Sequence, residues 1–198
     1  MPKNKKIVFL IIIILLLIIA GGVFWWWQKR EIKGSPEDYV IKETEEEKIV
    51  ENKKAGLTVK VPEGWEVKKM DVEEGSIVLQ SLNIEGEKRN GMAVPPLIKG
   101  CGIEISVVYG EMSFEEIKEK VKTIHWGLQI RSEEFEEVII NDYQALKNTF
   151  DSEVLGPVVT IYIPKENKLY DFSLYFAIDG KEKCIQEFES FLETIQIK

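Results

Sequence analysis

The sequence predicts an α+β fold, a mostly antiparallel β-sheet covered by helices and preceded by one transmembrane helix. Three patterns support this prediction. From Leu57 onward, apolar and polar residues alternate with a period of two, which is typical of strands. Two later segments carry apolar residues at spacings of three and four, which is typical of helices. Residues 7–19 form an unbroken apolar run, long enough to begin a membrane span.

The first 30 residues predict a membrane anchor. Residues 7–27 are 21 consecutive uncharged residues. As a helix they would extend about 31 Å, close to the roughly 30 Å thickness of a hydrocarbon core. Tryptophan and basic side chains at the end of such a segment prefer the interface between lipid and water. The predicted membrane-interface anchors are Trp25, Trp26, Trp27, Lys29 and Arg30.

A cleaved signal peptide is the competing interpretation, because Ala20, Gly21 and Gly22 are small residues of the kind that signal peptidases accept. The apolar run continues past them into the tryptophan cluster, which favours an uncleaved signal-anchor. Residues 1–6 contain three lysines and no acidic residue, so the positive-inside rule predicts a short basic cytoplasmic tail. We therefore expect a single-pass protein of the cell membrane whose globular domain is extracytoplasmic.

Residues 28–54 are predicted to form a charged stalk, followed by one globular domain at 55–198. Residues 43–48 include four glutamates and one lysine, a composition typical of a solvated spacer. Gly34 and Pro36 would stop any helix that continued from the membrane. The stalk is therefore expected to be a linker with at most partial helical structure.

Alternation, turn residues and apolar runs predict about eight strands in the domain. The expected strands cover residues 57–61, 65–67, 77–79, 103–109, 138–140, 143–146, 158–163 and 172–176. Residues 62–64 form a turn between the first two, and residues 141–142 form a tight hairpin turn. Residues 83–100 are rich in glycine and contain a Pro-Pro pair, which predicts a long loop of the kind that often has a function.

Two helices complete the prediction. Ser113 and Glu116 have the spacing of a capping box, which marks a helix start. The apolar stripe of this helix is Phe114, Ile117, Val121 and Ile124. A second helix begins after Asp179 and Gly180, and its stripe indicates docking on a sheet. That stripe consists of Cys184, Ile185, Phe188, Phe191, Leu192 and Ile195.

Composition excludes several classes of function. Residues 31–198 contain 21 basic and 34 acidic residues, so we expect no nucleic-acid partner, which would require a basic face. One histidine and two cysteines exclude a zinc site built from His and Cys ligands. No Walker loop, dinucleotide fingerprint, serine elbow or zinc-protease motif occurs. The sequence predicts no cofactor, no metal site and no catalytic residue, and therefore a protein that is not an enzyme.

Three segments resemble PsbP-like domains, in their membrane-anchored bacterial form. Ala55-Gly-Leu-Thr-Val-Lys-Val-Pro-Glu-Gly-Trp65 resembles the first hairpin of that family, and Val138-Ile-Ile-Asn-Asp-Tyr-Gln-Ala145 resembles its central strand–turn–strand. Residues 169–174 and 188–195 are similar to its last strand and closing helix. The resemblance implies an antiparallel sheet sandwiched by helices. It implies little about activity, because the best-known members are accessory subunits on the lumenal side of photosystem II and none of their metal or docking residues is matched here.

Four sets of residues are candidates for special roles. Cys101 and Cys184 would either form a disulfide or stay as two separate buried thiols. His125 ends the first helix, where a structural position near the helix dipole is favoured over catalysis. In the acidic run at 133–137, strand geometry divides the four glutamates between opposite faces, which favours a solvated sheet edge over a cation site. Trp65 is expected to be a core residue.

The leading hypothesis is a non-enzymatic, membrane-anchored extracytoplasmic domain that binds a protein partner or organises a complex of the cell envelope. The alternative is a ligand-binding or hydrolytic envelope domain with a pocket near the loop at 83–100. An exposed apolar patch would favour the protein partner, whereas a deep pocket with convergent polar groups would favour the alternative.

Overall fold

The computed structural model describes residues 32–44, 46–69, 76–86, 97–125 and 127–198. The predicted tail, transmembrane helix and interface anchors at 1–30 lie outside these ranges. In the described part of the chain, no helix combines the length and apolar character needed to cross a membrane. Residues Lys33–Lys198 form one compact unit.

Fourteen strands and two α-helices are found in the described ranges. The strands are β1 (Ile32–Lys33), β2 (Tyr39–Glu43), β3 (Lys48–Asn52), β4 (Leu57–Lys60), β5 (Trp65–Lys69), β6 (Ile77–Ser81), β7 (Glu85–Gly86), β8 (Leu97–Lys99), β9 (Cys101–Tyr109), β10 (Ile130–Ile140), β11 (Tyr143–Ser152), β12 (Gly156–Lys165), β13 (Lys168–Phe176) and β14 (Gln196–Ile197). The helices are α1 (Phe114–His125) and α2 (Lys181–Leu192). A short 3₁₀ turn covers Pro36–Asp38.

The strands form a large sheet, a small sheet and a separate pair. The large sheet has the order β10-β11-β12-β13-β9-β6-β5, and each of these neighbouring pairs is antiparallel. The small sheet has the order β14-β4-β3-β2, also antiparallel. The two-stranded pair is β7-β8. The predicted α+β class, a mostly antiparallel sheet with two helices, is therefore confirmed.

One helix packs on each face of the large sheet. On the face that we call the inner face, the Phe191 ring of α2 contacts Phe172 of β13 with 6.0 Å between ring centroids. The small sheet packs into the same core through Val50 and Leu57. On the opposite, outer face, α1 packs against Leu146, Tyr162 and Leu169. This arrangement leaves the large sheet as the middle layer, with separate cores on its two faces.

The capping box that predicts α1 is present. The Glu116 carboxylate accepts a hydrogen bond of 2.9 Å from the Ser113 backbone N–H, and Ser113 Oγ accepts one of 3.3 Å from the Glu116 backbone N–H. The predicted apolar stripe is wrong at its last position, because Ile124 is 61% exposed. His125 is the buried residue at this end of the helix instead.

The prediction of a solvated stalk over residues 28–54 is wrong for residues 39–43 and 48–52. These residues form the β2-β3 hairpin, and β3 pairs with β4. Tyr39, Val50 and Asn52 are buried on one face of the hairpin, while Lys42 and Glu51 lie on its other face and pair with each other. A strand in such a sheet needs apolar residues on only one face. A segment of charged composition can therefore still have one buried face.

A second correction concerns the turn at 62–64. The sequence predicts a hairpin there, but β4 belongs to the small sheet and β5 pairs with β6 in the large sheet. The turn therefore carries the chain from one sheet to the other. Trp65, the first residue after it, is buried as expected.

Candidate functional site

A half-open apolar groove of about 600 Å³ lies between α2 and the inner face of the large sheet. We call it the inner-face groove. Its floor consists of Val138, Ile140, Val159, Ile161 and Leu174, and its wall consists of Ile185, Phe188 and Leu192. Alternation along each strand turns these floor residues to one face. The groove exists because α2 does not span the sheet, so inner-face positions of β10 and β11 such as Thr149 stay exposed.

Charged side chains of both signs border the groove. Arg131, Lys147 and Lys181 contribute positive charge, and Asp151 and Glu189 contribute negative charge. Ile178, at one end, is 80% exposed. The groove therefore combines an apolar centre with a polar border, which is the composition of a protein interface.

Cys101 and Cys184 are joined by a disulfide. The bond connects the start of β9 to α2, across 83 positions of sequence. The sequence left open either a disulfide or two separate buried thiols, and the structure contains the disulfide.

A second groove of about 530 Å³ lies beside this disulfide, as expected for a pocket near the loop at 83–100. Described residues of that loop line it, including Asn83, Glu85 and Lys99, together with Lys183 and Glu187 of α2. This lining is more polar than that of the inner-face groove. It mixes acidic and basic residues, and none of the described lining residues is a histidine.

His125 is held by a residue that the sequence analysis placed in a solvated edge. Its Nδ1 lies 2.7 Å from Glu133 Oε1, and the amide Nδ2 of Asn148 donates to the same carboxylate oxygen at 3.2 Å. The ring also packs on Phe150, with 4.1 Å between centroids. Alternation along β10 was the signal that could have predicted this position of Glu133. Glu133 is two positions from Phe135, which is partly buried on the outer face.

A small cavity of about 160 Å³ with a mixed polar and apolar lining lies on the outer face, beside the C-terminal end of α1. We call it the outer-face cavity. Glu104 and Asp171 stand on the adjacent strands β9 and β13, where their neighbours across the ladder are Ser173 and Ser106. Ser173, which lies opposite Glu104, is two positions from Asp171 along β13. Because every second side chain of a strand points to the same face, the side chains of Glu104 and Asp171 lie on the same face of the sheet. His125 lines the cavity as well.

The pKa values of two tyrosines that line this cavity, Tyr162 and Tyr175, are raised. Burial, with additional effects of the negative charges of Glu104 and Asp171, raises the pKa of Tyr175 well above its usual range. Burial and the charge of Asp171 likewise raise the pKa of Tyr162. Both phenols are therefore neutral hydrogen-bond donors at physiological pH, and the Tyr175 hydroxyl donates to Glu104 Oε2 at 3.3 Å.

No family model and no curated protein matches the sequence. The solution structure of cyanobacterial PsbP (CyanoP) from Synechocystis sp. PCC 6803 matches 81% of this chain and 92% of that chain, at 12% identity and a TM-score of 0.50. A crystal structure from Bacteroides thetaiotaomicron VPI-5482 matches 86% of this chain and 49% of that chain, at 14% identity and a TM-score of 0.46. A protein of unknown function from Pseudomonas aeruginosa matches over 81% of this chain and 97% of that chain, at 8% identity and a TM-score of 0.43.

The layered architecture and the first of these similarities define the class. The chain has a PsbP-like fold, which confirms the resemblance read from its strand and helix motifs. At 12% identity the likeness concerns the fold alone. Candidate functional residues are therefore inferred from the grooves and cavities of this chain and not from the neighbour.

Proposed function

We propose that this chain is a single-pass membrane-anchored protein whose PsbP-like domain lies outside the cytoplasm and binds another protein of the cell envelope without catalysing a reaction. The observation that carries the proposal is the inner-face groove. Its floor residues Val138, Ile140 and Val159 stay partly exposed in a domain that already has an apolar core on each face of its sheet. A partly exposed apolar groove with a polar border is typical of a binding site.

The lining of the groove favours a protein partner over a small ligand. The five floor residues are aliphatic side chains of β10, β12 and β13, and the intervening strand β11 contributes Lys147 and Thr149. Small-molecule sites usually fix their ligand with a few convergent polar groups. The charges of Arg131, Asp151 and Lys181 stand at the border, where a protein interface has its polar rim.

Two further features support the proposed location. A disulfide in the domain fits an oxidising compartment, because cytoplasmic thiols are kept reduced. The apolar segment at 7–27 has the length and flanking residues of an anchor, and its basic N-terminal side favours a cytoplasmic N-terminus.

Site-specific photo-crosslinking in intact cells tests the proposal. A photoreactive amino acid replaces Thr149, an exposed residue of the groove, and the matched control replaces Ile139, which is 74% exposed on the outer face of the adjacent strand. We expect a crosslinked product of one defined mass from position 149 and none of that mass from position 139. The substitution Ile178→Asp should weaken this product, because it places a charge beside the apolar floor.

Three outcomes would overturn the proposal. One is the same set of products from positions 149 and 139, which would indicate non-specific collisions. Another is the absence of any product from position 149. The third is a product that contains only a second copy of this chain, which would assign the groove to self-association.

A further inference from the structure

We propose that the inner-face groove binds a basic amphipathic α-helix, which the protein partner presents. This inference rests on the proposed protein-binding function and names the kind of surface that the partner contributes. Three properties of the groove support it: its dimensions, the pairing of the backbone groups in its floor, and the charges at its border.

The uncovered part of the inner face is as wide as one helix. One row of paired residues crosses four strands in the order Leu174, Val159, Thr149 and Glu134. Leu174 is fully buried and Val159 is partly exposed, whereas Thr149 and Glu134 are exposed. The exposed positions belong to β10 and β11, so the uncovered strip is about 10 Å wide. An α-helix with its side chains has a diameter of about 10–12 Å.

The wall of the groove is about three helical turns long. Lys181 and Leu192, at the two ends of α2, both line the groove, which therefore follows the whole helix. At about 1.5 Å per residue, these two positions are about 17 Å apart along the helix axis. A partner helix of about 12 residues therefore matches the wall in length.

The floor of the groove is the face of a sheet, and this favours a helix over an extended segment. The backbone groups of β11, β12 and β13 pair with the neighbouring strands on both sides. An extended occupant would place its own backbone N–H and C=O groups on Val159 and Ile161, which offer them no partner. A helix pairs its backbone groups internally, so it can cover the floor with side chains alone.

Most of the positive charges at the border are already paired. The Arg131 guanidinium lies 3.6 Å from an Asp151 carboxylate oxygen, and the Lys147 ammonium lies 3.7 Å from a Glu136 carboxylate oxygen. These two cations therefore have carboxylate partners within the domain and do not require any from a bound protein.

Two exposed carboxylates flank the strip without such a partner. Glu134 lies on the β10 side and Glu189 on the α2 side, and neither forms an ion pair with a described residue. Among the cations that line the groove, Lys181 at the start of α2 also has no ion pair with a described residue. The unpaired charge is therefore negative on balance. A helix with lysine or arginine on both sides of an apolar stripe complements Glu134 and Glu189.

The charge of the whole domain has the same sign. Residues 31–198 contain 34 acidic and 21 basic residues. This excess of negative charge attracts a basic partner over a distance and repels a second copy of the same chain. The groove therefore fits a different protein that carries a basic helix.

Photo-crosslinking of the purified full-length protein to defined peptides tests this inference. The protein carries a photoreactive amino acid in place of Thr149 and is placed in nanodiscs of zwitterionic phosphatidylcholine. Three peptides of about 12 residues share one leucine stripe at helical spacing. The first has lysine on both sides of the stripe, and the second has glutamate at the same positions. The third is the lysine peptide with a central proline, which breaks a helix.

We expect the lysine peptide to form an adduct at position 149 that saturates with peptide concentration. The glutamate and proline peptides should bind about tenfold more weakly or worse, because they lose the charge match and the helix respectively. The same photoreactive amino acid at Ile139, on the outer face, should give no saturable adduct. Empty nanodiscs measure how much of each peptide the lipid binds.

Charge variants identify the partners of the lysines. The double variant Glu134→Gln, Glu189→Gln should bind the lysine peptide about five- to twentyfold more weakly, since one exposed ion pair contributes a factor of about two to five. The matched control is the double variant Glu137→Gln, Glu187→Gln. Glu137 is exposed on the outer face of β10, and Glu187 lies on the other side of α2, where it lines the second groove. The control has the same net charge and should bind the peptide as the unmodified protein does.

The inference is overturned if the lysine peptide gives no saturable adduct at position 149, or if the glutamate or proline peptide binds as tightly. Equal affinities of the two double variants would also contradict it. Circular dichroism verifies that both variants are folded, and if one is not, the comparison of the three peptides on the unmodified groove decides the question.

The outcome is distinguishable from that of the proposed function. A defined protein product from position 149 in cells, together with no preference among the peptides, would refute the basic helix and retain the protein-binding function. The absence of any product in cells would refute both.

Discussion

The hydroxyl of Tyr170 donates a hydrogen bond of 2.6 Å to the backbone carbonyl of Ala55, and both residues are buried. Tyr170 belongs to β13, at the centre of the large sheet, whereas Ala55 lies in the turn between β3 and β4 of the small sheet. This contact bridges 115 positions of sequence and satisfies a carbonyl that would otherwise be buried without a partner.

The substitution Tyr170→Phe should lower the free energy of unfolding by about 1–3 kcal/mol, because it leaves the Ala55 carbonyl unsatisfied. Urea unfolding of the full-length chain measures the difference. Tyr109→Phe is the matched control, since the Tyr109 hydroxyl is buried without a hydrogen-bond partner among the described residues. That variant should be neutral or slightly stabilising. Equal losses in the two variants would show that the Tyr170 contact contributes nothing specific.

Stability should fall at alkaline pH through the same residue. Burial, with a smaller effect of the negative charge of Glu166, raises the pKa of Tyr170 to about 12. An unfolded tyrosine titrates near pH 10. The folded state therefore binds the proton more tightly, and this stabilising contribution is complete below pH 10 and lost as the pH rises to about 12. Denaturant midpoints across this interval should decline less steeply in Tyr170→Phe than in the unmodified chain.

Val50→Ala should destabilise the protein by about 2 kcal/mol, because it removes two methyl groups from a fully buried site on β3. Val40→Ala on the neighbouring strand β2 is the control, since Val40 is 44% exposed. It should change the free energy of unfolding by less than about 0.5 kcal/mol. If both substitutions are equally harmless, residues 39–52 do not belong to the folded domain.

Gly56→Ala should be more damaging than Gly64→Ala. Both glycines have positive φ, +74° and +75°, so each alanine carries a similar backbone penalty of about 1–2 kcal/mol. At Gly56 a Cβ would also lie 2.6 Å from the Lys198 carbonyl oxygen, whereas at Gly64 no atom lies within 4 Å. Thermal unfolding of the two variants isolates the contribution of this contact between the β3–β4 turn and the C-terminal residue.

Labelling of Cys101 and Cys184 with a membrane-impermeant thiol reagent should require both denaturation and reduction in intact cells. The reason is that the disulfide leaves no free thiol, and the proposed location places it outside the cytoplasm. On the chain-entropy model the bond contributes about 4 kcal/mol, which the double variant Cys101→Ser, Cys184→Ser should lose. Labelling after denaturation alone would contradict the disulfide. Labelling only after the inner membrane is breached would contradict the proposed topology.

Local patterns predicted most of the large sheet and both helices. Ser113 and Glu116 are three positions apart, which is the spacing of a capping box. The hairpin turn at Asn141 and Asp142 has positive φ at both residues, as a two-residue type I′ turn requires. The same reasoning failed for β2 and β3, where Val50 is buried because the small sheet packs into the core on the inner face of the large sheet. It also placed Ile124 rather than His125 in the buried stripe of α1.

The sequence by itself determined the alternation of the strands, the starts of the two helices, the acidic charge of the domain and the likeness to a PsbP-like fold. These properties depend on residues a few positions apart. Only the tertiary structure decided that Cys184 meets Cys101, that Glu133 holds His125, and that α2 leaves an open groove beside it. Each of these depends on how elements distant in sequence pack together, because packing brings the two side chains into contact or leaves a surface uncovered.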